Sequence, residues 1–295
     1  WIDLVVCNLY PFAATIKKPG VTRDEAIENI DIGGPSMLRS AAKNMGWVTV
    51  IVDPADYTPL TEEIEQSGVS FITRKHLATK AFGHTAQYDA MIHGYLNEEV
   101  FPDDLTLSYK KFYDLRYGEN PHQQACVYKE PNNTDCNILN AKILQGKQLS
   151  FNNVGDADAA LATLKEFSEP ACVIVKHGNP CGVAVDTDIA AAFTRAYQAD
   201  SLSAFGGIIA LNRPCTQGIA EAITKFFVEI VLAPSFLPAA LALFQQKQNM
   251  RVLELGSITA LTVKKEWKYI DGGLLIQDTD TKIITDQDIK VVTQT

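Results

Sequence analysis

The feature that most constrains this chain is the alternation of short apolar runs with amphipathic segments, sustained along nearly its whole length. Short apolar runs bounded by turn residues read as buried strands, and the longer segments between them as helices. Such alternation predicts an α/β fold of layered helices and strands. Residues 2–7 and 47–52 read as buried strands of the parallel kind. Helices are expected at 22–30, where Thr22 and Glu25 have capping-box spacing, and at 37–43. A long helix is expected at 73–97, capped by Thr73, with Leu77, Ala81, Tyr88, Met91, Ile92 and Tyr95 mostly on one core face. Further on, strands at 171–176, 208–211 and 251–255 are expected between helices at 153–167, 188–199, 215–228 and 237–248.

A chain of 295 residues exceeds the usual size of one hydrophobic core. Composition changes at Phe101-Pro102-Asp103-Asp104, so the boundary is placed near residue 108, giving domains 1–108 and 109–295. With 46% hydrophobic and 21% charged residues, the chain is neither disordered, collagen-like nor a coiled coil. The net charge of −9 argues against nucleic-acid binding, which needs surplus Lys and Arg to neutralise phosphates. A small anionic substrate needs only a local cluster of donors. The cysteines at 7, 126, 136, 172, 181 and 215 form no C-x-x-C pair, so neither a zinc knuckle nor a redox pair is expected, and a reducing, cytoplasmic setting is. No apolar run has the length of a membrane span and no leader pattern opens the chain. A strand at the very start, and an end at 289–295 without helix cap or polar tail, lead us to expect a piece of a longer protein.

The sharpest chemical signal is Lys176-His177-Gly178-Asn179-Pro180-Cys181-Gly182. A strand is expected to deliver Lys176 and His177 at its carboxyl end, where open α/β sheets bind ligands, and a tight Gly/Pro loop to follow. The strand end could splay both side chains into one cleft. The ammonium would then disfavour protonation of the imidazole, leaving His177 a base and Lys176 an oxyanion stabiliser. An isolated Lys-His pair would be surface and cap; the surrounding Gly and Pro residues favour a site. A zinc-deaminase pattern is rejected: after Pro180-Cys181 the second cysteine should stand at 184, which is Ala, and His177 lacks the H-x-E partner. No catalytic metal is expected.

Asp114-Leu115-Arg116-Tyr117-Gly118-Glu119-Asn120-Pro121-His122-Gln123 combines a guanidinium, an aromatic ring and amides, which suits phosphate or heterocycle recognition, or equally a polar turn. Gly33-Gly34-Pro35-Ser36 opens a helix whose free N–H groups favour an anion, though the pattern is also an ordinary helix start. Tyr10, Asp31 and Lys43 could share a cleft near it; singly, each reads as surface or structural. Ser203-Ala204-Phe205-Gly206-Gly207 is a loop that could wall a substrate, or a tight turn.

Together with Cys7-Asn8-Leu9-Tyr10-Pro11-Phe12, Asp31-Ile32-Gly33-Gly34 and Ala41-Ala42-Lys43-Asn44, these segments resemble, in this order, the bifunctional purine-biosynthesis family whose members are both 5-aminoimidazole-4-carboxamide ribonucleotide (AICAR) formyltransferase and inosine monophosphate (IMP) cyclohydrolase. The resemblance implies the C-terminal part of a methylglyoxal-synthase-like domain, then part of a cytidine-deaminase-like domain without its zinc. It implies formyl transfer from 10-formyltetrahydrofolate to AICAR, giving FAICAR, and dehydrative ring closure to IMP, in a cytoplasmic homodimer with no nucleic-acid or membrane partner. By position, Lys176 and His177 are the transfer pair. Arg116, Tyr117, Asn153 and Phe205-Gly206-Gly207 hold the nucleotide, Glu229 lies by the folate, and Tyr10, Asp31 and Lys43 serve ring closure. Family elements that would precede Trp1 and follow Thr295 are not in this sequence. The chain alone is therefore expected to be weak or inactive, and a non-catalytic nucleotide-binding or dimerisation fragment is the alternative.

Overall fold

The computed structural model describes residues 1–131, 133–259, 263–282, 284–285, 287–290 and 292. The chain divides into two compact units, Trp1–Tyr109 and Lys110–Thr295. The expectation about residues 289–295 falls partly outside the described residues.

The first unit runs β1 (Leu4–Val6), α1 (Phe12–Thr15), α2 (Arg23–Glu28), α3 (Gly33–Lys43), β2 (Thr49–Ile51), α4 (Tyr57–Ser67) and α5 (Phe71–Leu96). β1 and β2 pair in parallel as a two-stranded sheet. β2 is buried, but β1 is not: Leu4 and Val6 are 41% and 49% exposed, because β2 is its sole strand neighbour among the described residues. The core lies between α3 (Leu38, Ala41, Ala42), β2 and α5 (Ala78, Ala81). A second cluster gathers Phe12, Ala26 and Tyr88, with Met91, Ile92 and Tyr95 of α5 packed against it.

Local chemistry sets the helix ends. Thr22 and Glu25 form the full capping box of α2. The α5 cap is Ser70, which accepts from the Thr73 N–H; Thr73 lies inside the first turn and its hydroxyl donates to Glu63. α3 begins at Gly33, so Gly-Gly-Pro-Ser is its first turn rather than the loop before it. α4 was not expected, and it buries only Leu60.

The second unit runs β3 (Lys110–Leu115), β4 (Ala125–Lys129), β5 (Lys142–Gln145), α6 (Phe151–Leu164), β6 (Ala171–Lys176), β7 (Asn179–Val185), α7 (Ile189–Ala199), α8 (Ser201–Ala204), β8 (Ile208–Leu211), α9 (Gln217–Ile223), β9 (Ile230–Ala233), α10 (Pro238–Phe244), β10 (Arg251–Glu254), β11 (Lys265–Ile270) and β12 (Gly273–Asp278). Its main sheet has the order β5-β10-β9-β8-β6-β7. The sheet is mixed. β10, β9 and β8 run parallel, whereas β5, β6 and β7 each join antiparallel. β3–β4 and β11–β12 are separate antiparallel hairpins.

Alternation of side chains divides the core into two layers. Cys172, Ile174, Ile209, Leu211 and Val231 face α7, α9 and α10, whose Phe193, Ile219 and Phe244 join them. Val173, Val175, Ile208, Ala210 and Leu232 face Ala157, Ala160, Leu161 and Leu164 of α6. Burial pushes the thiols of Cys172 and Cys215 far up, that of Cys215 to about 12.

Residues 177–182 are not a loop. Lys176 pairs with Asn179, so His177-Gly178 is a two-residue turn and Asn179 to Gly182 belong to β7. Pro180 is tolerated because β7 ends the sheet, next to a register shift at Ile174/Val175. Since β6 is antiparallel to both neighbours, its end is not the carboxyl edge of a parallel sheet. Ser201–Ala204 is a helical turn, and the helices expected at 215–228 and 237–248 shorten to Gln217–Ile223 and Pro238–Phe244.

Candidate active site

In the second unit, a cavity of about 360 Å³ lies where α6 begins and the β6–β7 turn ends. The turn is an unusual one. φ is +53° at His177 and +74° at Gly178, and His177 is the only non-glycine residue with positive φ among the described residues. Positive φ at both positions is the hairpin pattern that matches strand twist, normally filled by Asn-Gly or Gly-Gly. Histidine there costs about 1–3 kcal/mol of backbone strain. The Gly178 N–H donates to Asp156 Oδ1 of α6 at 2.7 Å, and Asn179 Nδ2 donates to the His177 carbonyl at 2.9 Å.

α6 starts with a capping box. The Ser150 hydroxyl accepts from the Asn153 N–H, and Asn153 Oδ1 accepts from the Ser150 N–H, both at 3.2 Å. The Asn153 carboxamide oxygen is thus committed to its own helix. One turn on, Asp156 shares the cavity face with Asn152 and Asn153, as i, i+3 and i+4 spacing requires.

Arg116 and Tyr117 follow β3, and the Arg116 guanidinium carbon stands 5.5 Å from the Tyr117 ring centroid. Their loop is closed by the Gly118 N–H on the Gln123 carbonyl (2.8 Å) and the Asn120 N–H on Gln123 Oε1 (2.8 Å). Arg116 and Lys147 both line the cavity and make no ion pair among the described residues, so two cationic groups remain for an anion.

At the cavity floor Arg251 is 5% exposed. Its Nη1 meets Glu229 Oε2 at 2.6 Å, while Nε and Nη2 donate to the carbonyls of Lys147 (3.1 Å) and Gln148 (3.3 Å). Buried charge of this kind persists when it is paired and hydrogen-bonded. Glu229 is therefore at the site, with one oxygen engaged by Arg251.

Lys176 does not line the cavity. It takes the face of Ile174, and its ammonium donates to the Phe205 carbonyl at 2.8 Å. It lies close enough to Asp200 to help hold that carboxyl low, after the stronger hydrogen bonds from Ser203. Successive strand residues point to opposite faces, and the end of β6 does not splay enough to override that. Phe205, Gly206 and Gly207 lie beside the cavity rather than in its wall. The Gly206 N–H donates to the carbonyl of Phe227, a wall residue, and the Phe205 and Phe227 rings are 5.5 Å apart. Gly207 is needed for close approach, since a Cβ there would stand 2.9 Å from the Val175 carbonyl oxygen.

The first unit has its own cleft, of about 810 Å³, lined by Tyr10, Asp31, Gly33, Gly34 and Met37 among others. Asp31 organises it. Its Oδ1 accepts from the Gly34 N–H (2.7 Å), its Oδ2 from the Tyr10 N–H (3.2 Å), and its own N–H donates to the Tyr88 hydroxyl (2.8 Å). One helix N–H expected to be free for an anion is thus taken. Burial pushes the Tyr88 hydroxyl up, the Asp31 N–H opposes that, and the charges of Asp31 and Asp89 add to the rise. Lys43, exposed at the last turn of α3, lies ~15 Å along the helix from Gly33 and does not line the cleft. The structure joins Tyr10 and Asp31 but not Lys43.

Sequence reasoning did not single out Lys147, Asp156, Phe227, Asn249 or Arg251, all cavity residues. Only Asp156 had a signal, its helical spacing from Asn153. Among the described residues no group of three or more His, Cys, Asp or Glu could hold a metal, and no helix is long and apolar enough to cross a membrane.

Comparison with known proteins gives these sites their context. Residues 41–295 match the family described as the AICARFT/IMPCHase bienzyme. A bifunctional purine biosynthesis protein PurH from Bacillus cereus (strain ATCC 14579) is 52% identical over 297 aligned residues, covering 99% of this chain. PurH proteins of Bacillus anthracis and Bacillus cytotoxicus are 51% identical over the same extent. The chain spans 58% of the length of these relatives. Similarity at this level, running through both units, places the chain in the AICARFT/IMPCHase bienzyme family.

Proposed function

We propose that the protein catalyses the last two steps of purine biosynthesis, formyl transfer at the His177 cavity and ring closure at the Asp31 cleft. Residues 1–108 would be the cyclohydrolase part, methylglyoxal-synthase-like in fold. Residues 109–295 would be the transferase part, cytidine-deaminase-like without a catalytic metal. The protein would act in the cytoplasm as a homodimer on AICAR, FAICAR and 10-formyltetrahydrofolate.

The observation that carries the transfer reading is one cavity, in a member of this family, that collects an imidazole, two unpaired cations, an aromatic ring and a buried Arg-Glu pair. Arg116 and Lys147 suit the phosphate of a ribonucleotide, and Tyr117 its base or ribose. The 5-amino nitrogen of AICAR is a weak nucleophile. As it bonds to the formyl carbon it must lose a proton, and His177 would accept it while the bond from the formyl carbon to the folate nitrogen breaks and tetrahydrofolate leaves. Glu229, tied to Arg251, would face the folate side. Lys176 would act through the Phe205 carbonyl, fixing the Phe205–Gly207 segment against Phe227. For ring closure, the carboxamide nitrogen bonds to the formyl carbon and the formyl oxygen leaves as water. Asp31 and Tyr10 would move protons there, while Lys43, exposed at the end of α3, does not line that cleft.

The test uses the full-length protein carrying His177→Ala. Formyl transfer should fall by roughly 10²-fold or more, the scale of a lost general base, while cyclisation of supplied FAICAR stays at the wild-type rate. Equal loss of both activities would refute the assignment.

A further inference from the structure

We propose that Asp156 is a positioning residue for formyl transfer, holding the His177-Gly178 turn so that the imidazole meets the substrate amine. The inference rests on the formyl-transfer reading of the cavity and adds a residue to it.

His177 occupies a backbone conformation that an L-residue adopts reluctantly, and no other non-glycine described residue adopts it. The two-residue connection of β6 and β7 itself favours positive φ at both positions, but with histidine in place of Asn or Gly, at the edge of the sheet, the turn needs a further anchor. That anchor comes from across the cavity. α6 is fixed to the sheet through Ala157, Ala160, Leu161 and Leu164, all buried, and Asp156 stands immediately before Ala157. From that rigid base its Oδ1 accepts the Gly178 N–H at 2.7 Å, in the residue directly after His177. Asp156 and His177 then line the same cavity from opposite sides of the bond. Losing the acceptor frees the turn to relax toward ordinary φ at His177, which redirects the imidazole. Binding of the nucleotide through Arg116 and Lys147 does not depend on that direction. The predicted signature is a loss in kcat with little change in the KM for AICAR.

The substitutions separate position from charge. Asparagine keeps an oxygen that can accept the Gly178 N–H, whereas alanine does not. In the full-length protein Asp156→Ala should lower kcat for formyl transfer roughly 10- to 100-fold, the scale that a misplacement of about 1 Å can cost. KM for AICAR should stay within about threefold and FAICAR cyclisation should be unchanged. Asp156→Asn should recover most of the lost kcat. An Asn variant as slow as the Ala variant would overturn the positioning role, as would an Ala variant with wild-type kcat. Hydrogen exchange on the wild-type protein tests the bond without any variant: the Gly178 amide should be protected, and a freely exchanging amide would also overturn the inference. His177→Ala is run alongside. If it retains transfer, the reading of the cavity fails; if it is inactive while Asp156→Ala is fully active, only this inference fails.

Discussion

The two clefts are each organised around carboxylates, but by different means. In the first unit Asp31 binds backbone N–H groups donated by Tyr10 and Gly34, and the geometry depends on how closely the chain can approach the carboxylate. A Cβ on Gly34 would stand 2.5 Å from Asp31 Oδ2 and 2.6 Å from Leu9 Cδ2. In the second unit the floor is a side-chain ion pair, Arg251 with Glu229, and the rim is a turn tied to Asp156. The first site is set by the absence of a side chain, the second by charged side chains that must be paired. The two should therefore fail under different substitutions.

The largest effect is expected at Arg251. Arg251→Ala removes the partner of Glu229 and leaves the carbonyls of Lys147 and Gln148 without their donor. Breaking a buried pair costs about 3–5 kcal/mol, and the lower end applies because the Glu229 side chain is 34% exposed and water can reach it. Chemical denaturation should show the loss in the second unit, with FAICAR cyclisation by the full-length protein unaffected. Next comes Gly34→Ala, at about 1–3 kcal/mol for overpacking, accompanied by loss of ring closure. Its control is Gly33→Ala, one residue away in the same helix turn, where a Cβ meets nothing within 4 Å. That substitution should be neutral or stabilising by up to about 1 kcal/mol. Equal effects at the two glycines would break the close-approach argument.

Helix caps should give smaller, similar losses in both units. Thr22→Ala removes the capping box of α2, and Asp188→Ala removes two acceptor bonds at the start of α7. Each should cost about 1 kcal/mol in thermal or denaturant unfolding. Smallest is the surface pair Arg23–Glu98, with both side chains more than half exposed. Arg23→Ala should change stability by less than about 1 kcal/mol, and less still at high salt.

What the sequence disclosed follows from burial. The strands Ala171–Lys176 and Ile208–Leu211 are buried almost throughout, and their apolar runs set their bounds without ambiguity. β9 is equally buried, yet only Glu229 separates it from the apolar Phe226-Phe227-Val228 of the preceding segment, and so short an apolar stretch has no period to set it apart. The β3–β4 hairpin is half exposed, so neither strand stands out. The Lys176-to-Gly182 segment marked the candidate site, but its two glycines and proline read as a loop because edge-strand proline looks like loop proline until the sheet order is known. Lys176 was placed beside His177 on the expectation that the strand end splays; its ammonium instead bonds the Phe205 carbonyl. Tyr10 and Asp31 were legible as a pair; Lys43 was grouped with them by its place in the same helix and by the family resemblance, and it does not line their cleft. Arg251 escaped notice because an arginine opening an apolar strand gives no sign of what it will be buried against.

The central claim is that two separate chemistries reside in the two units. It is tested most directly by IMP formation from AICAR and 10-formyltetrahydrofolate, using full-length His177→Ala and Asp31→Ala proteins, alone and mixed. Each variant alone should form almost no IMP, and the equimolar mixture should form it after a lag while FAICAR accumulates and passes between proteins. A mixture as inactive as either variant would contradict the division.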